Sequence, residues 1–421
     1  MLPSTEILRA TMLELLPESV DLLCDLIRIP SVRGFEGPVN RHLATVFEPL
    51  VTEAKLISIP DSFQSDPDYR WPVEDFTYED TQNLRLRLGS TGKGKNLLFN
   101  AHVDVVPPSQ GQDKPWEPQV IDGNVIGRGA CDDKGQIAVL HLVLKTMKEL
   151  EIQPAAEVTI DFVVEEENGG NGSLWMTRHP VSADAAIVME PTRMRICPAV
   201  RGAVWFTLTL TGKAGHSGSA STTVSAIKLA QQAMTELEKY HDALLAESRG
   251  HNPLFDAYEN PMPVTFGQIE AGDWPATSPS QATIKGVFGF LTNRRVAEVQ
   301  VGMQQALVNS QDPWLRENFQ LEFNMLNSDG NEISEDHALV TSLSAALLKS
   351  NQSTELIALT GSCDAFMYNN ILKIPTVVFG AGDLWKYAHA NNEQIKIEDI
   401  INTALVVLNF IADWCRLEKI K

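Results

Sequence analysis

Short, nearly unbroken apolar runs alternate with stretches of helical periodicity from Asn83 onward. Leu97 to Phe99 is followed by Gln136 to Leu150, where Ile137, Leu140, Leu144 and Met147 recur on one helical face, and then by strands at Val158 to Val164 and Ala186 to Met189. Strands that are apolar on both faces need cover on both faces. The alternation therefore predicts an α/β layer with a mainly parallel central sheet. Ile374 to Phe379 and a helix beginning near Ile397 resume the same layer.

Between Arg201 and Met325 the pattern changes character. Phe206, Leu208 and Leu210 alternate with Thr207, Thr209 and Thr211, which predicts a half-buried strand, and Ile227, Ala230, Met234 and Leu237 mark one face of a long helix. Two strands follow, carrying Val264 and Phe266, then Ile284, Phe288 and Phe290. A helix with Val299, Met303 and Leu307 leads to a last alternating strand at Phe319, Leu321, Phe323 and Met325. The order strand, helix, strand, strand, helix, strand is that of a ferredoxin-like α+β unit. An α/β domain of residues 1–199 and 329–421 is thus expected, interrupted by an inserted α+β domain at 200–328. Segment Asp61 to Asp80 mixes prolines and aromatics without any period and reads as an irregular surface excursion.

Composition narrows the function. The chain has 421 residues and a formal net charge of −20, so its surface repels phosphate backbones and anionic membranes. Neither nucleic acid nor membrane is expected as a partner, whereas cations are. The longest apolar run, Ala404 to Ala412, is interrupted by Asn409 and is too short to span a bilayer. The five cysteines are widely spaced and never form Cys-x-x-Cys, as expected of reduced thiols in a cytoplasmic protein. The first residues show no secretory pattern.

Three polar clusters fall immediately after predicted strands: His102 and Asp104, then Glu165, Glu166 and Glu167, then Glu190. In open α/β sheets ligands bind outside the carboxyl ends of the strands, so the three clusters can converge on one crevice. His102 and Asp104 lie two apart and project to the same side of an extended chain. One imidazole nitrogen can then bind a metal while the Asp104 carboxylate accepts the other nitrogen's proton. Asp132 and Asp133, just before a helix, read equally well as capping residues.

Six ordered motifs carry a resemblance. They are Asn100-Ala-His-Val-Asp-Val-Val-Pro107, Gly127-Arg-Gly-Ala-Cys-Asp-Asp-Lys-Gly135, Val164-Glu-Glu-Glu-Asn-Gly-Gly170, Met189-Glu-Pro-Thr192, Gly215-His-Ser217 and Ala388-His-Ala-Asn-Asn-Glu393. They resemble the co-catalytic zinc family of acetylornithine deacetylase, succinyl-diaminopimelate desuccinylase, aminoacylase, glutamate carboxypeptidase and related dipeptidases. The resemblance implies a zinc-peptidase-like catalytic domain with an inserted lid that commonly dimerises. It implies two divalent metals, zinc with cobalt or manganese as alternatives, held by His102 and Glu190 on one side and Glu167 and His389 on the other. It further implies Asp132 as the bridge, Asp104 as the group orienting His102 and Glu166 as the catalytic base. Asp133 falls where the family often has an unusual peptide geometry, and His216 where a lid histidine helps bind the oxyanion, often from the partner subunit of a homodimer.

The family often anchors a substrate carboxylate with arginine, because a guanidinium meets a carboxylate bidentately. This chain has Phe366 and Leu291 near two such positions, so anchoring is expected to move to Arg294, Arg295 or Arg201. The expected activity is deacylation of an N-acyl amino acid. A dipeptidase or carboxypeptidase acting on short peptides is the alternative within the family, and a non-catalytic metal- or ligand-binding relative the alternative outside catalysis.

Overall fold

The computed structural model describes residues 3–73, 76–89 and 92–420. Glu74 and Asp75 of the aperiodic segment lie outside the described residues. The central sheet runs in spatial order through Glu53–Ser58, Gln82–Leu88, Val158–Val163, Leu97–His102, Ala185–Val188, Thr376–Val378 and Ile196–Val200. The four strands from Val158–Val163 to Thr376–Val378 are mutually parallel, and antiparallel strands flank them on both sides. Every residue of Val158–Val163, Leu97–His102 and Ala185–Val188 is buried, which is why these strands are mostly apolar on both faces. Helices Thr5–Arg28, Lys134–Glu149 and Ile397–Ile411 pack against one another over the sheet. Ile400 to Ile411 is buried all round, as befits a helix at the centre of a layer rather than at its edge.

A second sheet has the order Val264–Ala271, Gln281–Phe290, Gly202–Thr211, Phe319–Glu322. Val204, Phe206, Leu208 and Leu210 face helices Ala226–Ser248 and Val296–Val308 and share a separate core with Leu229, Leu237, Val299 and Met303. Trp205, Thr207 and Thr209 alternate onto the opposite, half-exposed face. The last strand stops at Glu322, short of the expected Met325. Asn327 donates from Nδ2 to the carbonyls of Phe323 and Met325, closing a loop before Asn327–Ser328 rejoins the sheet beside Ala203 and Val204.

The segment from Asp61 to Asp80 corrects the expectation of a surface excursion. It is irregular, but Phe63 and Tyr78 are buried. Its aromatics pack edge-on, Phe63 against Tyr69 and Trp175, and Phe76 against Tyr78. Aromatic burial of this kind needs no sequence period, so no template reveals it. All five cysteines are buried and unpaired, and no described helix is long and apolar enough to cross a membrane.

Candidate active site

The carboxyl ends of the parallel strands deliver most of the site. His102 ends its strand with Nε2 at 3.0 Å from Asp132 Oδ1 and Nδ1 at 3.0 Å from the backbone carbonyl of Asp104. The Asp104 carboxylate stands farther off, at 3.5 Å from Nδ1, because it accepts the backbone N–H groups of Glu166 and Glu167, each at 3.1 Å. The expected carboxylate contact is thus present at ion-pair distance, with the carbonyl closer. Asp104 orients the imidazole mainly through its carbonyl, while its side chain fixes the turn that carries two glutamates.

That turn divides the three glutamates by role. Glu165 is buried, paired with Arg33 at 2.6 Å and hydrogen-bonded by the Tyr78 hydroxyl, so it holds the turn in place. Gly170 N–H closes on the Glu165 carbonyl at 2.8 Å, and Gly170 adopts φ +72° against Asp364. Glu166 and Glu167 are left half-buried and facing the crevice.

Asp132 presents one oxygen to each side. Oδ1 meets His102, and Oδ2 lies 3.4 Å from Nε2 of the exposed His389, which is also 3.1 Å from Glu167 Oε1. The Asp132–Asp133 peptide is cis, at the position where the resemblance implies unusual geometry. Asp133 Oδ2 accepts the His102 backbone N–H at 3.0 Å, and its buried Oδ1 has no hydrogen-bond partner among the described residues.

Two sets of side chains have donor atoms within 4.8 Å of one another: His102, Asp132, Asp133 and Glu190, and Asp132, Glu167 and His389. Asp132 belongs to both, and Glu166 to neither. The electrostatics fit cations. Burial pushes the carboxyls of Glu166, Glu190 and Asp133 well above their ordinary values. Burial also raises Asp132, but the hydrogen bonds from His102 and His389 outweigh it and hold that carboxyl low. Burial alone would depress His389, yet Asp132 and Glu167 carry its imidazole up to about 11. Buried carboxylates in excess of their imidazole partners are costly without positive charge, and imidazole and carboxylate donors suit zinc.

Sequence reasoning missed Glu393 as a working residue. Its Oε1 accepts the backbone N–H groups of Cys131 at 3.1 Å and Asp132 at 3.0 Å, while Oε2 pairs with buried Arg128 at 2.6 Å. It thus fixes the backbone beneath Asp132. The available signal was its place four residues after His389 in the same motif.

The other expected residues are not brought to the cluster. His216 is exposed in the inserted unit, on a short strand paired with Thr277–Ser278, and its Nδ1 accepts the Gly218 N–H. Arg294 pairs with Glu247 at 2.7 Å, and Arg295 caps helix Val296–Val308 beside Asp329. Arg201 donates to the carbonyls of Thr360 and Gly202. Among the described residues none of these three guanidiniums contacts the clustered carboxylates.

A sheet crevice lined by paired metal-ligand sets, with a free carboxylate beside them, fits a metal-dependent hydrolase. The match to a family model over residues 98–413 is more specific: the chain belongs to peptidase family M20/M25/M40. It is similar to N-formyl-4-amino-5-aminomethyl-2-methylpyrimidine deformylase of Bacillus subtilis, 27% identical over 77% of this chain and 80% of that protein. It is similar to acetylornithine deacetylase of Proteus mirabilis, 24% identical over 96% of this chain and 99% of that protein. Its fold is similar to that of a di-peptidase of Saccharomyces cerevisiae, with TM-score 0.78, 14% identity and coverage of 98% of both chains.

Proposed function

We propose that the chain hydrolyses the amide bond of an N-acyl amino acid, with His102 and Glu190 holding one divalent metal, Glu167 and His389 the other, and Asp132 bridging. The observation that carries this reading is the disposition of Asp132, one oxygen toward each histidine, beside an unligated Glu166. Two bound divalent ions, zinc with cobalt or manganese as alternatives, would supply a hydroxide nucleophile near neutral pH and polarise the scissile carbonyl. Glu166 takes the proton of the attacking water and passes it to the leaving nitrogen. Its carboxylate is suited to this work because the N–H bond to Asp104 fixes its backbone while its side chain stays free of both ligand sets. Asp104 and Glu393 position, and Glu165 braces the turn.

Deformylases, a desuccinylase and a deacetylase stand among the relatives beside probable carboxypeptidases, so amide hydrolysis is what they share and removal of an acyl group is the reading put to the test. Glu166→Ala should retain two metals by elemental analysis and lose roughly 10²- to 10⁴-fold in kcat on N-acetyl amino acids. Unchanged turnover would reject Glu166 as the base. Preferential hydrolysis of dipeptides by the unaltered, metal-loaded protein would replace the deacylase reading with a peptidase one. We also propose that the inserted unit joins two copies of the chain, a lid and dimerisation domain at residues 200–328.

A further inference from the structure

Asp132 and His389, two members of the second ligand set, stand on loops far apart in the chain, and one buried side chain ties those loops together. Arg128 is among the largest fully buried side chains, and its guanidinium reaches in two directions. Nη1 donates to Glu393 Oε2 at 2.6 Å, and the other oxygen of that carboxylate accepts the backbone N–H groups of Cys131 and Asp132. Nη2 donates to Gln112 Oε1 at 2.9 Å and to Ser109 Oγ at 3.4 Å.

The second arm leads to His389. Ser109 Oγ donates to the His389 carbonyl at 3.3 Å, and Asn391 Nδ2 donates to the Gln110 carbonyl at 3.3 Å. The Gln112 N–H closes on the Ser109 carbonyl at 3.0 Å, and the Ser109 N–H donates to Gln112 Oε1 at 3.4 Å. Residues 109–112 therefore form one turn, clasped between Arg128 and the His389 loop. A Cβ added to Gly111 would lie 3.7 Å from Asn391 Nδ2, an ordinary van der Waals contact.

His389 needs such a clasp. Its backbone sits at φ +60°, a left-handed conformation that a Cβ disfavours, and its side chain is 53% exposed, so packing does little to hold the ring. Nε2 nevertheless has to stay beside Asp132 Oδ2, at 3.4 Å, and Glu167 Oε1, at 3.1 Å, in a site whose metal–ligand distances tolerate only about 0.2 Å of error. The planar fork of Arg128 serves both partners at once, which a lysine ammonium on a flexible stem does not. Gln112 is half-buried and belongs to neither hydrophobic core, so its bond to Arg128 contributes a fixed distance rather than burial.

We propose that Arg128 and Gln112 are positioning residues for the metal held by Asp132, Glu167 and His389. The guanidinium sets the spacing between the Asp132 backbone and the His389 loop, and Gln112 passes that constraint to His389 through the turn that carries Ser109. The inference rests on the ligand assignment above.

The experiment measures zinc binding by competition with a chromophoric chelator, ion by ion, together with the melting temperature of the chelator-stripped protein. His389→Ala is the reference, since it removes a ligand of one ion only. Gln112→Ala should weaken that same ion roughly ten- to hundredfold, leave the other within about threefold and keep the stripped protein's melting temperature. Gln112→Glu, which restores an acceptor for Nη2, should bring the ion back to within about threefold of wild type. Arg128→Lys, which keeps the charge beside Glu393 and gives up the second arm, should weaken it as Gln112→Ala does. Adding Gln112→Ala to His389→Ala should leave the remaining ion unchanged, because both substitutions act on one site. Equal weakening of both ions, a further loss in the double variant, or Gln112→Ala with two ions at wild-type affinity would overturn the tie while His389→Ala still lost one ion. A His389→Ala protein that kept both ions at wild-type affinity would instead overturn the ligand assignment, and the tie with it.

Discussion

Glu393 illustrates how a single carboxylate can govern a metal centre without touching a metal. Three charged or polar groups depend on it: the Arg128 guanidinium and the N–H groups of Cys131 and Asp132, all buried. Glu393→Ala would leave the Arg128 guanidinium without its carboxylate, with only Gln112 and Ser109 as side-chain acceptors, at a cost of up to about 3–5 kcal/mol. Glu393→Gln keeps an acceptor for the two N–H groups and loses only the charge, so its cost should be smaller. The expected order in urea unfolding is wild type, then Gln, then Ala, with metal content falling in the same order as the Asp132 backbone loosens. An Ala variant with wild-type stability and full metal content would reject the positioning role. Arg128 and Glu393 are far apart in the chain, and nothing in the spacing of either motif says that they pair. His102 and Glu190 were legible because each closes or follows a strand that periodicity locates, whereas Asp132 read equally well as a helix cap and entered only through the motif resemblance. Glu393 was not legible, because its role exists only once two distant motifs are side by side.

At the scale of elements, the turn from Glu165 to Gly170 works as one part. Asp104 holds it by two N–H groups, Arg33 and Tyr78 hold Glu165, and Gly170 lets the chain double back under Asp364. A Cβ at position 170 would come to 2.4 Å from Asp364 Oδ1, on a backbone already at φ +72°. Gly170→Ala should therefore cost about 1–3 kcal/mol from the left-handed conformation alone, and the displaced turn should carry Glu167 away from His389. The measurable consequence is a lowered melting temperature together with a metal-to-protein ratio below two. Full occupancy with lost stability would separate the turn's structural role from its role at the site. The strand, helix, strand, strand, helix, strand order of the inserted unit was readable because its faces alternate cleanly, Val204 to Leu210 inward and Trp205 to Thr209 outward. The segment from Asp61 to Asp80 was not, since its burial comes from aromatic edges meeting in space.

For the whole molecule, the unresolved physical problem of the fold is the free edge of the second sheet. Among the described residues strand Val264–Ala271 pairs only with Gln281–Phe290, and most of its residues are exposed. Ile269 is 54% exposed on it, with Ile227 at 50% and Trp274 at 68% on neighbouring segments. An open edge flanked by exposed apolar side chains invites pairing with another strand, and a second copy supplies an identical edge related by a two-fold axis. A dimer would bury that edge. It would also give a purpose to His216, which stands exposed on the same unit and reaches no part of its own chain's cluster. Sedimentation equilibrium should return about twice the chain mass of 46.4 kDa. Ile269→Lys, which places a charge on the edge, should shift the protein toward monomer while leaving the catalytic core's metal content intact. If His216 acts across the interface, turnover should fall along with the dimer fraction as protein is diluted. A wild-type protein that sediments as a monomer at working concentrations would leave both the edge and His216 without this role.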